Sequence, residues 1–191
     1  HSESPHSQIV KKVENGVNEV LARKPQMIME CSSGVSTLVI ARCLQLNGTG
    51  HMYSLEHDIE YASKTRKLLD KYDLTKWATV LDAPLQTKYT DTPWYDENII
   101  PDNLAPIEML IVDGPPSQTA PLARFPALPR LVPRMAERYI VIIDDANRDD
   151  EIEMIKRWRY QFPYLREMKI PCEKGLVLLQ SEEARQDKIS S

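Results

Sequence analysis

Apolar residues at Ile9, Val10, Val13, Val17, Val20 and Leu21 recur with helical spacing, which predicts a first helix over residues 7–23, stopped by Pro25. A short apolar run at 26–30 reads as a strand, and the small residues Cys31-Ser-Ser-Gly34 lead into a second helical pattern over 36–47. Asn47-Gly48-Thr-Gly50 carries the turn chemistry that closes it. Further strands are predicted at 51–55, 77–81, 107–112 and 139–143, and helices at 59–72, 120–136 (interrupted by prolines) and 149–160. Five strands alternating with helices form a βαβ series and therefore an α/β fold with a parallel sheet. The end of the chain breaks the alternation. Runs at 164–170 and 175–180 are joined only by Pro171-Cys-Glu-Lys174, too short for a crossover helix, so these two should pair antiparallel.

Composition narrows the class. With 191 residues, 42% of them hydrophobic, the chain is one domain with a proper core, expected over residues 8–181 between a tail at 1–7 and a polar C-terminal tail at 182–191. The opening His1-Ser-Glu-Ser-Pro5-His6 has no apolar core of a signal peptide. No apolar run approaches the roughly 20 residues of a membrane span. A net charge of −4 disfavours nucleic acid as a partner. Cys31, Cys43 and Cys172 form an odd set without C-x-x-C spacing, which reads as reduced thiols in a cytoplasmic protein. A homo-oligomer is left open.

Candidate chemistry lies where the strands end. In an open parallel sheet, ligands bind beyond the carboxyl ends of the strands, and each of the five parallel runs ends in an acid: Glu30, Glu56, Asp82, Asp113 and Asp144. The strand, the turn Cys31-Ser-Ser-Gly34-Val-Ser36 and the helix start aim backbone N–H groups at a ligand. Glu56 follows Gly34 by 22 residues and ends the second strand, where an acid can accept from both hydroxyls of a ribose. An adenosine-containing cofactor is expected. The single glycine in the turn opposes the pyrophosphate of NAD, whereas an acidic rim suits a cationic sulfonium.

As a set, these segments resemble the class I S-adenosylmethionine-dependent methyltransferases. Glu30-Cys-Ser-Ser-Gly34-Val-Ser36-Thr37 is similar to the family's first motif, Leu55-Glu56-His57-Asp58 to the second and Leu81-Asp82-Ala83-Pro84 to the third. The resemblance implies a Rossmann-like three-layer sandwich with a mostly parallel seven-stranded sheet and a C-terminal antiparallel hairpin. It also implies a cofactor site at Glu30, Ser32, Gly34, Ser36, Glu56, His57, Asp82, Ala83 and Asp113. Ser32 stands where the first glycine is expected, which calls for negative φ and a less close approach to the methionine part of the cofactor.

Val112-Asp113-Gly-Pro-Pro116 and Ile143-Asp144-Asp145-Ala-Asn147-Arg148 end adjacent strands. Neighbouring strands lie about 4.8 Å apart, so Asp113, Asp144 and Asp145 can share one hard cation such as Mg²⁺. This pattern resembles metal-dependent O-methyltransferases of the catechol and antibiotic-sugar types. It implies that Asp113 and Asp144 are catalytic and that a divalent ion lowers the pKa of an acceptor hydroxyl on a small molecule. Other readings stand beside it. The Asp144–Asp145 pair could only cap the next helix, and Arg148 and Glu151 could form a surface pair or Arg148 meet an anionic substrate. Trp94 and Tyr95 could stack on a substrate or anchor their loop. A metal-independent nucleic-acid or protein methyltransferase, or a non-catalytic nucleoside-binding domain, would share the fold.

Overall fold

A computed structural model describes residues 17–88, 90–172 and 174–181. Residues 17–23 are helical (α1); the start of the expected first helix and both tails lie outside the described residues. The strands are β1 (Met27–Cys31), β2 (His51–Glu56), β3 (Ala78–Asp82), β4 (Leu85–Gln86), β5 (Trp94–Tyr95), β6 (Ile107–Val112), β7 (Met135–Asp144), β8 (Leu165–Ile170) and β9 (Leu176–Ser181). Between them run α2 (Val35–Asn47), α3 (Ile59–Lys71), α4 (Ala127–Leu131) and α5 (Asp149–Gln161).

Seven strands form one sheet in the order β3-β2-β1-β6-β7-β9-β8, and β4 pairs with β5 apart from it. From β3 to β7 every pairing is parallel. Strand β9 is antiparallel to both β7 and β8, as the short connection requires. The period of two in a strand divides its side chains between two faces. Met29, Leu110, Val112, Val141 and Ile143 pack on one face with Trp94, Met154 and Trp158. Ile28, Met109, Ile111, Ile140 and Ile142 pack on the other with Val20, Ile40, Leu44 and Leu69. Burial on both faces explains why these strands are near-continuous apolar runs. Among the described residues no helix is long and apolar enough to cross a membrane.

Two segments depart from expectation. Instead of one helix over 120–136 there is only α4 and a 3-10 turn at Val132–Arg134, and β7 already begins at Met135. Pro121, Pro126, Pro129 and Pro133 each remove a backbone donor, and Leu122 sits at φ 53°, so no continuous helix can form. The polar stretch after β3 also folds back on itself as the β4–β5 hairpin, with Leu85 opposite Tyr95 and Gln86 opposite Trp94.

Candidate active site

Chain order reverses direction between β1 and β6, and the crevice expected at such a switch point opens above their carboxyl ends. The β1–α2 turn forms its first wall. Glu30 is fully buried, and its carboxylate accepts hydrogen bonds from the Ser36, Thr37 and Ser54 hydroxyls, each 2.6 Å long. Burial nevertheless pushes its carboxyl above the usual range, with the three hydroxyls pulling the other way. Thr37 Oγ1 also accepts the Gly34 N–H at 2.9 Å, so one network ties strand, turn and helix together. Glu30 thus lies behind the turn and shapes it. Ser32 is at φ +93°, not the negative φ expected of a serine: it keeps the backbone shape of the glycine it replaces. Gly34, at φ +151°, leaves room for Tyr61, whose hydroxyl lies 3.1 Å from where a Cβ would be.

Glu56 at the end of β2 is only 3% exposed. Its Oε2 accepts from the Ser33 N–H (2.9 Å) and hydroxyl (3.0 Å), and its Oε1 accepts from the Asp58 N–H (3.1 Å), with His57 Nδ1 at 3.2 Å. A cleft of about 470 Å³ opens between this acid and the turn, bordered by Ser32, Gly34, Ser36, Glu56, His57 and Asp113. Three carboxylates (Glu56, Asp58, Asp113) and no Lys or Arg stand among the described residues that line it. Asp82 and Ala83 do not line it. Asp82 pairs with Arg66 of α3, and Ala83 is buried with its N–H on the Glu56 carbonyl at 2.7 Å.

The second wall comes from β6 and β7. Asp113, Asp144 and Asp145 each offer an oxygen within 4.8 Å of the others. The N-cap of α5 is Arg148, so capping is not the work of the Asp144–Asp145 pair. Asp145 is 6% exposed, and its Oδ1 is buried with no hydrogen-bond partner. Its Oδ2 lies 2.8 Å from Arg148 and 3.6 Å from Arg124. Glu151 is buried against Arg124 at 3.5 Å, which removes the surface pair with Arg148, and burial raises its carboxyl pKa. Asp113 belongs to both walls, lining the cleft and completing the acid cluster.

The sequence pattern described as a methyltransferase domain matches residues 31–146, from the β1–α2 turn to the acid cluster. The chain belongs to this methyltransferase family. No curated protein sequence matches it. Among solved structures it is similar to the O-methyltransferase from Bacillus cereus in complex with SAH, at 16% identity and a TM-score of 0.67 over 95% of this chain and 83% of that one. A methyltransferase from Geobacter sulfurreducens gives 13%, 0.66, 88% and 77% for the same measures. The O-methyltransferase TomG from Streptomyces achromogenes, involved in tomaymycin synthesis and in complex with SAM, gives 12%, 0.63, 90% and 80%. At these identities the likeness is one of fold.

Within this methyltransferase, Trp94 and Tyr95 are fully buried, and the anchoring reading holds. The Tyr95 hydroxyl, buried without a partner, lies 2.5 Å from where a Cβ on Gly114 would stand, so only glycine fits behind Asp113. His51 is structural, its ring nitrogens on the Lys76 carbonyl (2.9 Å) and Thr79 hydroxyl (2.8 Å). The residue that sequence reasoning missed is Arg124. It is 4% exposed and reaches Asp113, Asp145 and Glu151 at 3.7, 3.6 and 3.5 Å. A single arginine inside the apolar run Ala123-Arg-Phe-Pro-Ala127 was its only signal.

Proposed function

We propose that this methyltransferase moves the methyl group of S-adenosylmethionine to a hydroxyl of a small molecule, with a divalent cation held by Asp113, Asp144 and Asp145. The observation that carries this reading is the position of Asp113, shared between the cleft and the carboxylate cluster. It sets the two ligand sites side by side, as in-line transfer demands.

The cleft fits the cofactor. Its three carboxylates and lack of Lys or Arg suit a sulfonium, and the molecule supplies an electrophilic methyl. Glu56 Oε1, which accepts one protein N–H, keeps a lone pair for a ribose hydroxyl. The N-terminus of α2 borders the same cleft at Gly34, Val35 and Ser36, and first-turn N–H groups of a helix have no intrahelical acceptor. Asp113 places negative charge beside the methyl-bearing end. SAH in the Bacillus cereus enzyme and SAM in TomG support this choice.

The cluster fits a hard cation as well. All its donors are carboxylate oxygens, and Asp145 Oδ1 is buried with no hydrogen bond to satisfy it. A bound Mg²⁺ or Mn²⁺ would lower the pKa of an acceptor hydroxyl. Asp144 and Asp145 orient that acceptor, and the loop carrying Arg124 closes one side. The acidic cleft and the net charge of −4 oppose a nucleic-acid acceptor. Three free thiols, two of them buried, suit a reducing cytoplasm.

Calorimetric titration with S-adenosylhomocysteine tests the cofactor half, and no binding would remove it. Radiolabelled methyl transfer to a panel of vicinal diols and diphenols, with Mg²⁺ or excess EDTA, tests the rest. Full turnover in EDTA would leave the methyltransferase standing without its metal.

A further inference from the structure

Arg124 stands inside the set of acids that would hold the cation. Arginine carries a permanent positive charge, and only 4% of this residue is exposed. Nη2 faces Asp113 Oδ1 at 3.7 Å and Asp145 Oδ2 at 3.6 Å, and Nη1 faces Glu151 Oε1 at 3.5 Å. Nη1 also donates to the Asp144 carbonyl at 3.1 Å, and Nε to the Pro115 carbonyl at 3.4 Å. The loop that carries it is tied to α5 at two points. Trp158 Nε1 donates to the Phe125 carbonyl at 2.9 Å, and the Leu122 N–H donates to Asp150 Oδ2 at 2.8 Å. Arg124 is held there by design of the fold, not by its charge alone.

The distances separate two kinds of satisfaction. Charge-assisted hydrogen bonds are about 2.7–2.9 Å long, whereas the three carboxylates stand 3.5–3.7 Å from Arg124. The guanidinium therefore compensates their charge without consuming their lone pairs, and Asp145 Oδ1 and Glu151 Oε2 stay without hydrogen bonds. A divalent ion at the cluster would need the lone pairs of Asp145 Oδ1 and would enter against a fixed positive charge.

We propose that Arg124 is a resident counter-cation of the Asp113–Asp144–Asp145 cluster, the one that bridges Asp113 and Asp145 beside Arg148 and Lys174 on Asp145, and that it competes with the divalent ion for their charge. This rests on the reading that the cluster binds such an ion. Arg124 is a positioning residue whose removal tightens metal binding, whereas a residue that merely supported the ligands would loosen it when removed.

The test uses the full chain and Mn²⁺ alone, with bound ion followed by electron paramagnetic resonance and by calorimetry. Arg124→Gln removes the charge but keeps an N–H donor for the Asp144 carbonyl. It is expected to bind Mn²⁺ at least about tenfold more tightly than the wild type. Arg124→Lys keeps the charge on a stem without the fork, cannot face three carboxylates at once, and is expected to bind about threefold more tightly. The lysine variant carries the test should the glutamine variant not fold. Affinities equal to or weaker than the wild type in the folded variants overturn the competition and leave the metal reading intact. Absence of Mn²⁺ binding in the wild type and in both variants overturns the metal reading, and the competition with it.

Discussion

Glu30 and Asp145 are both buried carboxylates at one edge of one sheet, and they are satisfied in opposite ways. Glu30 takes three hydroxyl hydrogen bonds from Ser36, Thr37 and Ser54, with no Lys or Arg paired to it among the described residues. Asp145 is surrounded by cations, Arg148 at 2.8 Å, Arg124 at 3.6 Å and Lys174 at 4.0 Å, while its Oδ1 makes no hydrogen bond. Neutral donors at short range fix geometry, and three hydroxyls occupy most of the acceptor capacity of the Glu30 carboxylate. The cations around Asp145 balance its charge, Arg148 at close range on Oδ2, and leave Oδ1 without a hydrogen bond. The first arrangement builds a turn, and the second is the one on which the proposed cation site rests.

The largest effect that would sharpen this contrast is on the cation. Asp113→Asn should weaken Mn²⁺ binding by about 100-fold, by analogy with loss of a ligand or its direct support, and S-adenosylhomocysteine binding by only a few-fold. Equal losses in calorimetry would erase the distinction between the two walls. Glu56→Gln should act the other way. Losing a charged acceptor amounts to about 1.5–3 kcal/mol, so S-adenosylhomocysteine affinity should fall by roughly 10–100-fold while Mn²⁺ affinity holds. A drop in both would mean that Glu56 supports the whole edge.

Stability effects are smaller. Burial raises the Glu30 pKa above the ordinary 4.5, so the folded chain holds the proton more tightly than the unfolded one. Its contribution is then fully present below the unfolded pKa and declines as pH rises through the folded value. Glu30→Gln lacks this titration and strands one hydroxyl, a loss of about 1–3 kcal/mol. The wild type's advantage in urea unfolding should be greatest below about pH 4.5 and shrink as pH rises above it; growth with pH would show that the hydroxyls outweigh burial. The smallest change should be Ser32→Gly. Positive φ costs a serine about 1–2 kcal/mol, and glycine returns part of that through unfolded-chain entropy. A gain of about 1 kcal/mol, or about 2–4 °C in Tm, is expected; a loss would mean that the Ser32 side chain contributes contacts of its own.

Much of the fold was legible because it depends on local pattern. Near-continuous apolar runs gave the parallel strands, and four residues between the last two runs left only an antiparallel pairing. The proline-rich segment misled because its apolar spacing is helical while its missing donors forbid the helix. The β4–β5 hairpin escaped because its two-residue strands carry no readable period. In the site, Gly34, Glu56, His57 and Asp113 line the cleft, the first two pointed to by their spacing and the last two by the resemblance. Glu30 was legible as an acid at the right place but not in its role, since its partner Ser54 lies 24 residues away. Asp82 turns to Arg66, a pairing between β3 and α3 that no motif encodes.

The amino-acid sequence alone determined the order of strands and helices, the closing hairpin and the row of acids at the strand ends. Those follow from periodicity, chain length between runs and the rule that strand ends face the crevice. Only the tertiary structure decided which acids are filled by neutral donors and which face cations. That depends on what stands opposite each carboxylate, and the partners come from distant elements: Ser54 on β2 for Glu30, Ser33 before α2 for Glu56, and Arg124 from the β6–α4 loop for Asp113 and Asp145. It also placed Ser32 at positive φ, because the packing of Gly114 and the turn network overrides what a lone serine would prefer.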